Sequence, residues 1–133
     1  MVNIDIAAMR AQLKSNIAAV LTSFEVFDHD RKDKRYPAVT VSWPDTLDPR
    51  ATQAGQVDLT IPVLVEIVWL GDESADQALM DAMETIVSAI ESDRDLNNTC
   101  HDLSCAPFQN IGARDLPDGR VVMQFVVPVE ILA

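Results

Sequence analysis

The chain has 133 residues, nearly half of them apolar, and a formal net charge of -11 from 21 acids against 10 bases. That length suits a single domain over 1–133 with a sizeable core, and the apolar content excludes a disordered chain. The acidity excludes an ordinary nucleic-acid binder, whose surface must attract phosphate, and no apolar run approaches the roughly 18 residues of a membrane span. The start, "MVNIDIAAMRAQLK", carries an early acid and no basic cluster before an apolar run. It is unlike a signal peptide, so a product made in the cytoplasm is expected.

In chain order, the spacing first predicts a helix over 4–22. Ile6, Met9, Leu13, Ile17, Val20 and Leu21 recur at steps of three and four and form one stripe, with Asn3 or Asp5 available as the cap. Arg10, Gln12, Lys14 and Asn16 lie mostly off it. "SFEVFDHD" then alternates as a short strand. "RKDKR" follows and holds four of the ten bases: Arg31, Lys32, Lys34 and Arg35. It reads either as a solvated hairpin tip or as a docking patch for an acidic partner. "YPAVTVSW" is a strand that Pro37 starts and Pro44 stops.

Residues 44–56, "PDTLDPRATQAGQ", lack periodicity and are expected to form a projecting loop. In "VDLTIPVLVEIVWL" every odd position from Val57 to Trp69 is apolar, the mark of a long strand with one buried face. Pro62 there predicts a bulge or a place with no neighbour on one side. "DESADQALMDAMETIVSAIESDRDL", residues 72–96, is an amphipathic helix. Ser74 and Gln77 have capping-box spacing, and Leu79, Met83, Ile86 and Ile90, widened by Met80 and Val87, form the apolar stripe. Its acids at 76, 81, 84 and 91 read as a solvated face rather than as catalytic carboxylates, which need a cleft. The chain closes with strands over about 107–114 and 120–132 around the turn signal "PDG". The similar segments "PVLVEIVW" and "VVPVEIL" are expected to pair near the centre of a sheet.

The order α-β-β-β-α-β-β therefore predicts an α+β fold, a largely antiparallel sheet with two helices packed on one face. Cys100 and Cys105 flank His101 in "CHDLSC", and only His29 adds another soft ligand far away, so no zinc set forms and two free thiols are expected. No Gly-rich phosphate loop and no nucleophile elbow occurs.

In this order of elements, with "YPAVTV", then "DLTIPVLVEIVW" running into the acidic-capped helix, and a terminal "VVMQFVVPVEIL", the whole chain resembles the tail terminator (tail-completion) proteins of long-tailed bacteriophages. The resemblance implies a virion structural protein of the tail-neck region, without catalytic residues, cofactor or metal. Such proteins form a ring, typically hexameric, on the last ring of the tail tube. They stop polymerisation and meet the head-side connector or stopper protein, while DNA passes through without specific binding. On this reading Leu47 and Arg50 in the long loop are candidates for contact with the tail tube or the next subunit. Arg31, Lys32, Lys34 and Arg35 are candidates for pairing with an acidic neighbour. Another head–tail joining (neck) protein, or a small non-enzymatic α+β binding module, is the alternative.

Overall fold

The structure, a computed structural model, describes residues 5–28, 35–44, 46–47, 58–69 and 73–132. Helix α1 spans Ile6–Val20. Asp5 sets its start, since the carboxylate accepts the Ala8 N–H at 3.0 Å and satisfies one of the amides that a helix N-terminus leaves unpaired. Met9, Leu13, Ile17 and, just past the helix, Leu21 are buried. The stripe is shorter than its sequence pattern: Ile6 is only half-buried and Val20 is exposed, because Leu21 takes the last core position. Arg10, expected off the stripe, is buried instead.

The strands are β1 (Glu25–Phe27), β2 (Ala38–Val41), β3 (Thr46–Leu47) and β4 (Asp58–Trp69), then, after helix α2 (Glu73–Glu91), β5 (Asp102–Cys105), β6 (Gln109–Asp115) and β7 (Val121–Leu132). They form one sheet in the order β1-β2-β4-β7-β5, with β3 on β4 beyond the end of β2 and β6 on β7 beyond the end of β5. All pairs are antiparallel except β1 with β2, which run parallel with Glu25 beside Ala38 and Phe27 beside Thr40. β1 and β2 therefore do not form the expected hairpin, while residues 31–34 themselves lie outside the described residues. A hairpin turn would reverse the chain, whereas this connection has to return it to the start of a parallel neighbour.

The two long strands, β4 and β7, pair over twelve residues from Asp58 beside Leu132 to Trp69 beside Val121. This is the central pairing that the two similar segments suggested. Leu59, Ile61, Val63, Val65 and Ile67 lie opposite Ile131, Val129, Val127, Phe125 and Met123, so odd positions of both strands share one face. α1 packs on β1 and β2, α2 packs on β4 and β5, and the helices pack on each other. Both helices thus cover the odd face, and the core lies between them and the sheet, with Met9, Leu13, Ile17, Ile86 and Ile90 meeting the strand residues.

Pro62 and Pro128 face each other across this ladder without any shift of register. Each turns its carbonyl outward, to the Ser42 N–H at 3.0 Å and the Ala106 N–H at 2.8 Å. In a strand the N position points to the same side as the carbonyl, so each missing N–H falls where one flanking strand gives way to the next. The prolines cost no central hydrogen bond.

α2 begins at Glu73, and the expected cap at Ser74 rests on a side chain outside the described residues. Gln77 donates forward to Asp81 at 2.8 Å rather than back to a cap. Leu79, Ala82, Ile86, Ala89 and Ile90 are buried, Met83 and Val87 partly so, and Met80 is 57% exposed, outside the stripe it was expected to widen. The helix ends at Glu91, short of 96, where Leu96, Asn97 and Asn98 take left-handed φ values of 47°, 55° and 68°. The polar stretch after it also contains β5, and the long loop contributes β3. Two short strands therefore join those read from alternation. The hairpin of β6 and β7 turns at Gly119, whose φ of 88° suits a residue without Cβ.

Phe125 is fully buried on β7 and meets Phe108 edge to face at 5.1 Å between centroids. Phe125→Ala is expected to cost about 3–5 kcal/mol in urea unfolding with an unchanged far-UV spectrum.

Candidate functional site

The even face of the sheet, away from the helices, carries the polar features that alternation does not explain. Glu66 of β4 is fully buried there, beside Ala38 and opposite Gln124. Arg114 of β6 pairs opposite Val122 and reaches across β7 to bridge the Glu66 carboxylate. A buried carboxylate requires such a cation, because desolvation of a lone charge exceeds most other terms in folding. Thr40 is buried on the same face, and its Oγ1 has no hydrogen-bond partner among the described residues.

Toward the other end of this face, two adjoining depressions of about 460 and 220 Å³ cross β4, β7 and the β5–β6 junction. They share Thr60 and Glu130; Ser104 and Asp102 line one, Pro62, Pro128 and Gln109 the other. Asp102 is held by Arg94 through bonds of 2.8 and 3.0 Å, which keep its carboxyl below the usual range. Among the described residues no group of three or more His, Cys, Asp or Glu side chains is placed to hold a metal.

A second polar centre ties α1 to the sheet. Arg10 donates from Nε to the Ser42 carbonyl at 3.1 Å and from Nη2 to the carbonyls of Val41, at 3.0 Å, and Asp28. These carbonyls lie at the ends of the parallel strands β1 and β2. The guanidinium also stacks on Trp43, 4.3 Å from the ring centroid, and Trp43 is itself 61% exposed. Sequence reading missed both Glu66 and Arg10. The available signal was a charged residue inside an otherwise apolar strand in one case, and an arginine one position from the apolar stripe in the other.

No protein-family model matches the chain, and no curated protein does. The residues themselves are what a functional reading has to stand on.

Of the residues expected to make assembly contacts, Arg31, Lys32, Lys34 and Arg50 lie outside the described residues. Arg35 is exposed just ahead of β2, and Leu47 lies in β3. The structure does not bring these two together. β2 begins opposite Glu66 and Leu47 pairs with Leu59, a separation of roughly 20 Å or more along β4. Three of the four α2 acids expected on a solvated face sit there, and the fourth does not. Asp76, Asp81 and Glu84 are exposed, and Glu91 is half-buried, accepting the Cys105 N–H at 3.2 Å.

Cys100 and Cys105 are free thiols packed against the core. Burial, reinforced by Asp95, Asp102 and Asp93, pushes Cys100 up to about 11. Burial and Glu91 push Cys105 up to about 12. Both side chains stay protonated, and so unreactive, through neutral pH. Asp93 is held low, first by the Asn16 amide at 2.9 Å and further by the Asn97 N–H, which fastens α1 to the turn after α2.

Two outcomes follow from these contacts. Arg10→Met strands three carbonyls and is expected to cost roughly 3 kcal/mol by chemical denaturation, with Arg10→Lys recovering only part of the loss. Iodoacetamide at neutral pH should label both cysteines far more slowly in the native chain than in urea. Native labelling should accelerate only as pH rises well above 9, since the folded pKa values lie above the unfolded one.

Proposed function

We propose that the chain is a structural protein of a long-tailed phage virion, a tail terminator that forms a ring on the tail tube and joins it to the head-side connector. The observation that supports it best is the sidedness of the fold. Both helices lie on one sheet face, in the element order the resemblance calls for. The other face and both sheet edges carry no helix among the described residues. A subunit built this way has distinct lateral surfaces for neighbours on its two sides, as a closed ring of identical chains requires.

The charge suits the same role. With a net charge of -11, a ring of such subunits repels the DNA backbone and lets the duplex pass without binding it. Among the described residues no helix is long and apolar enough to cross a membrane. On this reading the protein is non-enzymatic, is made in the host cytoplasm and ends in the tail-neck region, with the tail tube and a stopper protein as partners. The trough over Thr60, Pro62, Pro128 and Glu130 favours the second reading, a neck protein or small binding module that receives a partner segment on its open sheet face.

Purified chain mixed with isolated tail tubes separates these readings by negative-stain microscopy. A tail terminator yields a ring at one end of each tube and stops elongation. Tubes that keep growing, with uncapped ends at saturating protein, would overturn the tail-terminator reading.

A further inference from the structure

Asp118-Gly119, at the tip of the hairpin between β6 and β7, is the only Asp-Gly or Asn-Gly pair in the chain. Such a pair is the least hindered place for one backbone reaction, because the residue after the acid has no Cβ. The Gly119 nitrogen attacks Asp118 Cγ. A C–N bond forms, the Cγ–O bond breaks, and the amide proton leaves with the protonated carboxyl oxygen as water. The succinimide ring then takes water back at either carbonyl. Addition at Cγ restores aspartate. Addition at the main-chain carbonyl breaks the original peptide bond to Gly119, and the chain then runs through Cβ and Cγ as isoaspartate.

The turn engages both reacting groups. The Gly119 N–H donates to the Leu116 carbonyl at 3.0 Å, and the Leu116 N–H donates to the Arg120 carbonyl at 2.8 Å, which closes the loop. The Asp118 carboxylate is occupied by the next residue but one: Oδ1 accepts the Arg120 N–H at 3.1 Å and Oδ2 accepts from Arg120 Nε at 2.7 Å. The Arg120 N–H and guanidinium hold this carboxyl below its usual range, so it stays ionised, the form that gives up oxygen least readily. The guanidinium also lies over the Tyr36 ring, 5.8 Å from its centroid, and Tyr36 is half-buried just ahead of β2. Arg120 is thereby held by the body of the sheet as well as by the turn, although its salt bridge to Asp118 is exposed.

We propose that Asp118-Gly119 is the chain's site of isoaspartate formation, and that Arg120, braced on Tyr36, is a latch that slows the reaction in the folded protein. The inference is independent of the ring reading. Isomerisation takes the carboxylate away from Arg120 and adds a backbone atom to the turn that joins β7 to β6, the strand whose Arg114 pairs with Glu66.

The full chain is incubated at mildly acidic pH, folded or in guanidinium chloride, and isoaspartate is located by peptide mapping with electron-transfer fragmentation. The product is expected at residue 118, forming more slowly in the folded chain than in the unfolded one. Arg120→Gln should speed the folded rate about two- to fivefold, the range one exposed charged contact supplies, and leave the unfolded rate unchanged. Tyr36→Leu should give a smaller rise, since the contacts between Arg120 and Asp118 remain. Arg94→Gln removes an exposed bridge of the same kind to Asp102 and should leave the rate at 118 unchanged, which excludes general loosening. Equal folded and unfolded wild-type rates, product mainly at another aspartate, or an unchanged rate in an Arg120→Gln chain that circular dichroism shows to be folded would overturn the proposal.

Discussion

The ladder between β4 and β7 is the constraint on which the rest of the structure depends. Twelve residue pairs in unbroken antiparallel register place the odd positions of both strands on one face. A slip by one residue would turn that whole apolar set outward, so the register is set by the same burial that stabilises the core. Both strands are flanked on their outer sides by two shorter strands in succession, and the changeovers coincide with Pro62 and Pro128. Prolines normally confined to edges are tolerated in the middle of the sheet because the missing donors fall at these junctions.

The helices fasten to this ladder by apolar packing, but polar contacts decide where they stop. Arg10 binds the end of the parallel pair β1–β2 through the carbonyls of Asp28, Val41 and Ser42. Asp93 joins α1 to the turn after α2 through Asn16. That turn passes three successive residues through the left-handed region, a conformation unfavourable for leucine by roughly 1–2 kcal/mol. Burial of Leu96 offsets it, since the side chain is fully enclosed in the core. On the other face, Glu66 and Arg114 tie β6 to β4 across the strand between them.

The helices finish one face of the sheet and, among the described residues, leave the other without a helix. The protein's acids are spread over a helix exterior rather than gathered in a cleft, and its thiols are held protonated against the core.

Periodicity alone determined the strongest parts of the fold. The odd alternation of Val57 to Trp69 and of Val121 to Ile131, and the three-four spacing of Met9, Leu13, Ile17, Ile86 and Ile90, mark two long strands and two helices because each pattern has one buried face. Turn chemistry marked Gly119, since a positive φ there favours glycine. Only the tertiary structure decided that β1 and β2 run parallel, because connection length does not specify direction. It alone decided that Arg10 and Glu66 are buried, as their burial depends on carbonyls and a guanidinium brought from distant parts of the chain. The short strands β3 and β5 were illegible for the same reason: too brief for periodicity, they exist because the long central strands offer them hydrogen bonds.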